Sequence, residues 1–157
     1  MLKGRSENGG MERMMRGELL VAVVDGQGGG MGRGLVEAVK KKWPSLHVRA
    51  LGTNSLATAA MLRAGADDGA TGENAVVVNC RIADVIVGPI GIVIADALLG
   101  EITPAMAAAV CQSPARRVLV PINHCENIVV GVPDQPIGQL VAAAAQKVKE
   151  LVKTPCK

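Results

Sequence analysis

Apolar runs alternate with helical patterns along most of the chain, and this alternation predicts its fold. The segment LLVAVVD, residues Leu19–Asp25, is apolar without alternating polar positions, which indicates a strand buried on both faces. A glycine-rich loop and the helical pattern MGRGLVEAVKKK follow it. Further strands are predicted for LHVRALG, for a weakly marked segment around Asp67–Ala70, and for DVIVG. Strands that alternate with helices predict an α/β fold, a Rossmann-like three-layer sandwich in which a mostly parallel sheet carries helices on both faces.

The remaining segments are predicted as helices and a C-terminal hairpin. TNSLATAAMLRAG is a predicted helix that Thr53 or Asn54 caps and Gly65 ends. IGIVIADALLG has helical spacing and is apolar on every side, which is typical of a helix in a core or a subunit interface. TPAMAAAVCQS is predicted to begin with Thr103 as cap and Pro104 at the first helical position. RRVLVPIN and NIVVGV are predicted strands of a hairpin, IGQLVAAAAQKVKELV is a final helix, and ENAVVVNCRIA suits either a strand or a short helix.

The domain boundaries follow from where this patterning begins and ends. Residues 1–16 are polar and lack any period, so we expect a disordered leader. We expect residues 17–153 to form a single Rossmann-like domain and residues 154–157 to form a tail, because the chain suits one core and shows no linker or internal repeat.

Composition narrows the class of partner. Apolar residues make up 49% of the chain, a single Trp is its only aromatic residue, and the net charge is +3. Because this charge is mild and Trp43 alone could stack a base, no nucleic acid partner is expected. The N-terminal segment lacks the apolar core of a secretory signal, which with the irregular cysteine spacing favours the cytoplasm. The longest apolar stretch is short, contains Pro89 and Asp96, and is not expected to span a membrane.

The glycine-rich loop after the first strand is the clearest candidate binding site. Gly26, Gly30 and Gly32 form a GxxxGxG pattern between a buried strand and a helix. In this context the first glycine allows a tight turn, and the others let the backbone approach a phosphate at the helix N-terminus. There, free N–H groups and the helix dipole favour an anion. The predicted cofactor-binding residues of the loop are Asp25, Gly26, Gly28, Gly29, Gly30, Met31 and Gly32.

Other loops are expected to complete this site as a crevice. In open parallel sheets, ligands bind at the carboxyl ends of the strands. The segments that leave the predicted strands are rich in Gly, Asn and Thr, whereas those that enter the strands are mostly cationic. Four of the crevice residues, Thr53, Asn54, Gly88 and Gly91, are predicted to contact the cofactor. The rest of the predicted crevice consists of Thr71, Glu73, Asn74 and Asn123.

The glycine loop resembles the cofactor loop of the short-chain dehydrogenase/reductases, which carry the same GxxxGxG after their first strand. The resemblance covers one βα unit, Leu19 to about Val39, and implies an NAD(P) pyrophosphate over Gly26, Gly30 and Gly32. Because the chain contains no tyrosine, the catalytic Tyr-x-x-x-Lys of that family is absent, and its activity is excluded. No acidic residue ends the second strand, and Arg49 either favours a 2′-phosphate or points away.

A second resemblance spans nearly the whole regular region. The segments that carry it are VVDGQGGGMG, ALGTNSLATAAMLRAGAD, GATGENAVVVN, ADVIVGPIGIVIADALLGEITPAMA and PINHC. Together they are similar to a family of small bacterial proteins of unknown function with a Rossmann-like fold. This resemblance implies the fold and the compartment, and it implies no reaction.

Three residues are candidates for catalysis. Asp25, at the end of the first strand, could ligate a metal ion, bind a ribose hydroxyl or cap the turn. Asp96 lies in an apolar pattern, where a carboxylate must be paired, protonated or turned toward the crevice. Cys125 follows His124 and could be a nucleophile, although neighbours in an extended chain point to opposite faces. No metal site is predicted, because the other cysteines lack a partner at a metal-binding spacing.

Three functions remain open on this sequence. The first is binding of a nucleotide or dinucleotide, such as NAD(P), over Gly26–Gly32. The second is an enzyme that acts on a phosphorylated metabolite with Asp25, Asp96 or Cys125, the glycine loop serving as an anion site. The third is a non-catalytic sensor or assembly subunit, and the apolar segment Gly91–Leu99 also leads us to expect a homodimer. An acidic residue that reaches the end of the second strand in space would favour a dinucleotide, whereas a crevice too short for two nucleotide halves would favour a phosphorylated metabolite.

Overall fold

A parallel sheet forms the centre of the protein, which the computed structural model describes over residues 18–122 and 127–154. Within these residues its strands are β1 (Leu20–Asp25), β2 (His47–Gly52), β3 (Asp68–Thr71), β4 (Val85–Pro89) and β5 (Arg116–Val120). They lie in the spatial order β3-β2-β1-β4-β5, and every pairing is parallel. The chain therefore adds β2 and β3 on one side of β1, and then returns to add β4 and β5 on its other side.

Helices cover both faces of this sheet. The described residues form α1 (Gly30–Lys42), α2 (Ser55–Arg63), α3 (Glu73–Cys80), α4 (Pro104–Gln112) and α5 (Ile137–Lys153), with a 3₁₀ turn at Ile90–Val93. On one face α1 packs against α5 and α2, and on the other face α3 packs against α4. The result is a three-layer Rossmann-like sandwich, so the predicted fold class is confirmed.

The burial of the central strand β1 explains why its sequence is apolar from Leu20 to Val24. Val21 and Val23 belong to the core beneath α1 and α5, whereas Ala22 and Val24 belong to the core beneath α3 and α4. These four side chains are at most 1% exposed. Because consecutive strand residues point to opposite faces and both faces are covered, the strand is apolar up to Val24, and its one polar residue, Asp25, stands at its end.

The helix caps that the sequence predicts are present at two helices. At the start of α2, Asn54 Oδ1 accepts the N–H of Ala57 at 2.9 Å. At the start of α4, Thr103 Oγ1 accepts the N–H of Met106 at 3.2 Å, and Pro104 is the first helical residue. The segment that suited either structure forms α3, because two parallel strands need a crossover connection between them.

The helix predicted for IGIVIADALLG is wrong. This segment forms the 3₁₀ turn Ile90–Val93 and then a series of turns. Asp96, Leu98 and Leu99 have φ values of 63°, 56° and 56°, which lie outside the right-handed helical region. The apolar spacing is misleading here because Ile92 is buried by a tight turn back onto the sheet and not by one face of a helix.

The predicted C-terminal hairpin is also wrong. β5 ends at Val120, directly before Pro121, which has no N–H to donate to a strand ladder. Residues 127–136 contain no strand, and Ile128 and Val130 are 87% and 92% exposed instead of packed on a neighbouring strand. Within the described residues, β5 is an edge of a wholly parallel sheet.

Some of the predicted organisation lies outside the described residues. The expected leader, residues 1–16, belongs there, as do the last three residues of the expected tail. The candidate nucleophile Cys125, its neighbour His124 and the crevice residue Asn123 also lie outside. The division into leader, single domain and tail therefore stays a prediction.

Candidate functional site

An open cavity of about 770 Å³ lies at the carboxyl ends of β1 and β4. These strands are neighbours in the sheet although β2 and β3 separate them in sequence, so the cavity lies where the strand order reverses. Open α/β sheets bind ligands at this place. The cavity is lined by residues 25–31, by residues 89–91 and 94–99 after β4, and by Ile122, Asn127 and Ile137.

The glycine loop turns sharply from β1 into α1. The N–H of Gly29 donates to the carbonyl of Gly26 at 2.9 Å, and Gly29 is the N-cap of α1 with φ 73°. A Cβ on Gly29 would lie only 2.7 Å from the Cα of Ala57, at the start of α2. Glycine is required at this position both by the left-handed backbone and by the close approach of the neighbouring helix.

The side of the glycine loop that lines the cavity contains backbone N–H groups without a hydrogen-bond partner among the described residues. Added Cβ atoms on Gly28 and Gly30 would meet nothing within 4 Å. Within the described residues, the N–H groups of Gly28, Gly30 and Met31 have no hydrogen-bond partner. Bare backbone and unpaired N–H groups therefore coincide where the N-terminus of α1 meets the cavity.

The buried side chain of Asp25 accepts a hydrogen bond from the end of the glycine loop. Its side chain is 5% exposed, and Oδ2 accepts the N–H of Gly32 at 2.6 Å. Burial raises the pKa of this carboxyl, and Glu101 adds to the rise, whereas the N–H groups of Gly32 and Gly26 oppose it. Of the roles left open by the sequence, this geometry matches the turn-capping role.

Glu101 is a central residue of the site that the sequence patterns did not indicate. Its Oε2 accepts the N–H of Gln27 at 2.6 Å, and its Oε1 accepts the side-chain amide of Asn54 at 2.7 Å. The same amide donates to the carbonyl of Gln27 at 2.9 Å. A carboxylate thus reaches the end of β2 and ties the loop after β4 to the glycine loop. The local signal was faint: one acidic residue after the glycine of LLGEITP.

The loop after β4 has a strained backbone where it lines the cavity. Asp96, Leu98 and Leu99 all have positive φ, which costs a non-glycine residue about 1–2 kcal/mol. The turn is closed by Asp96 N–H donating to the carbonyl of Ile102 at 2.7 Å and by Ile102 N–H donating to Ala97 at 3.1 Å. Asp96, expected within a helix, is an exposed residue of this turn and faces the cavity.

The structure brings most of the predicted site residues to one place, although not all to the cavity surface. Asp25, Gly26, Gly28–Met31, Gly91 and Asp96 line the cavity. Thr53 and Asn54 lie behind the glycine loop, where Thr53 Oγ1 is buried without a hydrogen-bond partner in the described part of the chain.

Other predicted crevice residues lie elsewhere. Gly88 is inside β4, where an added Cβ would collide with the carbonyl of Val24, so its small size serves strand packing. Thr71 bonds to Thr58, with 2.7 Å between their hydroxyl oxygens, and does not line the cavity. Glu73 and Asn74, which do not line it either, are exposed at the start of α3.

Arg49 points away from the cavity. Its Nε and Nη2 donate to the two carboxylate oxygens of Asp68 at 2.7 Å each, and its Nη1 donates to Asn79 at 2.8 Å. Of the two orientations that the sequence left open, the structure shows the one in which Arg49 does not face the cavity, and its side chain forms an ion pair between β2 and β3.

The sequence also places the chain among known proteins. A family described as a domain of unknown function, DUF3842, matches residues 20–153. The chain belongs to this family. The predicted membership of a family of unknown function is thereby confirmed, and no curated protein matches the sequence.

One solved structure overlaps with much of the chain. It is the crystal structure of a dodecameric FMN-dependent UbiX-like decarboxylase from Escherichia coli O157:H7, with 18% identity and a TM-score of 0.43. The overlap covers 83% of this chain and 75% of that chain. At that TM-score it carries no argument about function.

Two further observations concern the described residues alone. No helix among them is both long enough and apolar enough to cross a membrane. Nor do three or more His, Cys, Asp or Glu side chains among them form a group that could hold a metal ion.

Proposed function

We propose that the protein binds a nucleotide whose phosphate lies against the backbone of the glycine loop. The observation that carries this proposal is that Gly28, Gly30 and Met31 line the cavity at the β1–β4 reversal and that their N–H groups have no hydrogen-bond partner among the described residues. Backbone N–H groups at a helix N-terminus bind anions, and the helix dipole adds to the attraction.

The size and walls of the cavity favour a ligand larger than a free phosphate. Its volume of about 770 Å³ lies within the range of roughly 300–1,000 Å³ that is usual for organic ligands. Beyond the glycine loop the walls are mainly aliphatic, with Ile90, Ile94 and Ile137 among them. A phosphate joined to an organic ring suits this cavity, because the phosphate suits the glycine loop and the ring suits the aliphatic walls. NAD(P) and nucleotides with one phosphate belong to this class of ligand.

The phosphate contact should depend on the backbone and not on a cationic side chain. Arg33 is the cationic residue nearest in sequence to the loop, but its side chain is 64% exposed. Its Nε lies 3.1 Å from Glu37 Oε1 in a surface pair one turn along α1. A guanidinium that is exposed and paired in this way is expected to contribute little to the phosphate contact.

The experiment compares Gly30→Ala with Gly34→Ala, two substitutions on the same helix. In a helix the Cα–Cβ bond tilts toward the N-terminus, so a methyl group on Gly30 projects toward the proposed phosphate. A methyl group on Gly34 would make only ordinary contact with Val141, at 3.7 Å. Affinities for AMP, FMN, FAD, NAD and NADP are measured by calorimetry after circular dichroism has shown that each variant is folded.

We expect Gly30→Ala to weaken nucleotide binding about tenfold or more, because overpacking costs about 1–3 kcal/mol. Gly34→Ala and Arg33→Ala should retain most of the affinity. Two results would contradict the proposal: no nucleotide binds at millimolar concentration, or Arg33→Ala abolishes binding while Gly30→Ala leaves it unchanged.

A further inference from the structure

We infer that the ligand is a phosphomonoester with an apolar ring, of the mononucleotide kind, and not a dinucleotide. This inference rests on the proposed function, since it takes the glycine loop as the phosphate site. It concerns the direction in which the rest of the ligand extends from that phosphate: toward β4 and α5, and not across β2.

The side of the glycine loop that faces β2 is closed by hydrogen bonds. A dinucleotide in this type of fold lies across the crevice, with one half on each side of the strand reversal. Here, Asn54 donates to both Gln27 and Glu101, and Gln27 donates to Glu101, at distances of 2.9, 2.7 and 2.6 Å. An acid at the end of β2 would favour a dinucleotide, but the two oxygens of Glu101 are turned to the protein, since one accepts the N–H of Gln27 and the other accepts the side-chain amide of Asn54.

Close packing reinforces this closure. The positions of added Cβ atoms show that Gly29 lies against the backbone of Ala57 and that Gly26 lies against the side chains of Thr53 and Leu98. The N-terminus of α2 is thus seated directly on the glycine loop. None of residues 52–55, at the end of β2, lines the cavity. A second nucleotide half would have to separate α2 from the loop.

The other side of the loop is open and apolar. From the free N–H groups the cavity continues over Met31, Ile90, Ile94, Leu98 and Ile137. Ile137 is 51% exposed, so an apolar ring could cover surface that now faces water. The ligand part that follows the phosphate is therefore expected to be an apolar ring system.

The charges around the cavity favour one phosphate over two. Among the described residues that line it there is no Lys or Arg, whereas Asp25 and Asp96 both line it. Glu101 is bonded to Gln27 of the same loop. The N-terminus of one helix can balance a single phosphate, but a second phosphate would lie near carboxylates that no Lys or Arg of the described lining offsets.

The test uses two pairs of probes, FMN with FAD and AMP with NAD, and two matched variants. Ile137→Asn makes the apolar wall polar without adding charge. Ile82→Asn is its control, because Ile82 has a similar exposure of 48% and does not line the cavity. Calorimetry gives the affinity of each protein for each probe and for inorganic phosphate.

We expect FMN and AMP to bind about tenfold or more tightly than FAD and NAD. Ile137→Asn should weaken FMN binding about fivefold, as the loss of roughly half the burial of an isoleucine implies, and leave inorganic phosphate binding unchanged. Ile82→Asn should have no effect on either ligand.

Other outcomes separate this inference from the proposed function. If FAD or NAD binds as tightly as its mononucleotide partner, the inference is wrong and the proposed function stands. The same holds if Ile137→Asn binds FMN no more weakly than Ile82→Asn does. If neither nucleotide class nor inorganic phosphate binds, both proposals fail.

Discussion

The carboxylate of Glu101 accepts the backbone N–H of Gln27 at 2.6 Å, although 74 positions separate the two residues in sequence. Its second oxygen accepts the side-chain amide of Asn54 at 2.7 Å. One side chain thus joins the loop after β4, the glycine loop and the cap of α2. The conformation of the glycine loop therefore depends on a residue that belongs to the opposite half of the sheet.

Removal of this carboxylate should destabilise the fold. We expect Glu101→Ala to lower the free energy of unfolding by about 1–3 kcal/mol, because two donors lose their acceptor. Glu101→Gln, which keeps one carbonyl acceptor, should lose less. Urea denaturation measures both, with Glu150→Ala as a control whose surface pair with Lys147 should contribute little. Equal stability of Glu101→Ala and the parent protein would show that the three segments hold together without Glu101.

Neighbouring glycines of the loop should differ sharply in their tolerance of alanine. Gly29→Ala introduces a Cβ 2.7 Å from the Cα of Ala57 and places alanine at φ 73°, so we expect a loss of about 2–4 kcal/mol. Gly28→Ala meets no atom within 4 Å and should change stability little. Thermal unfolding followed by circular dichroism compares the two. Similar melting temperatures would mean that α2 does not pack on the loop as described.

Asp25 should make stability fall as the pH rises. Burial raises its pKa above the ordinary value of 3.8, and Glu101 adds to this rise. The folded protein therefore holds this proton more tightly than the unfolded chain. The stabilising contribution is complete below pH 3.8 and is lost as the pH rises through the folded-state pKa. Asp25→Asn cannot ionise, so its stability relative to the parent protein should increase with pH across that window.

Asp68 provides a control of opposite sign for this pH experiment. Hydrogen bonds from Arg49 lower its pKa, so its contribution is present above pH 3.8 and is lost as the pH falls through its folded-state pKa. Asp68→Asn should therefore approach the parent protein in stability toward acid pH. Urea titrations of both variants over the acid and neutral range give the two profiles. Parallel profiles would contradict the assignment for Asp25.

We expect the protein to form a homodimer, although not through the helix that the sequence indicated. Leu99 is 97% exposed at the mouth of the cavity, in a loop that is otherwise mostly apolar. Exposed apolar surface of this kind marks interaction sites. Leu99→Asn should shift the mass measured by light scattering from dimer to monomer. Asparagine is chosen because it tolerates the positive φ of this position. Leu62→Asn, on α2, is the control. A monomer mass for the parent protein at micromolar concentration would refute the expectation.

The strands and the helix caps could be predicted because their causes are local. Residues 19–24 are all apolar since β1 is covered on both faces, and Asn54 caps α2 through a bond to the N–H of a residue three positions away. The glycine loop was identified for the same reason. Strand, turn and helix follow one another without interruption from Leu20 to Lys42.

The loop after β4 and the role of Glu101 could not be predicted in this way. The apolar spacing of IGIVIADALLG fits a helix, but the positive φ of Asp96 and Leu98 reflects a tight return that tertiary packing imposes. The partners of Glu101 lie 47 and 74 positions away, so no pattern around it records them. Gly88 is a similar case. Its close packing on Val24 of the neighbouring strand depends on a residue distant in sequence, so the local pattern indicated only a loop glycine near the cofactor.

The central position of β1 has a consequence for how the protein is synthesised. Val21 pairs with Val48 on one side and with Val85 on the other, so its second neighbour leaves the ribosome long after the first. Until then, β1 presents a bare apolar edge to other chains, and such edges promote aggregation. Glu101 follows later still. The glycine loop, although it directly follows β1, can form its hydrogen bond to Glu101 only after β2, β3 and β4 have also been made.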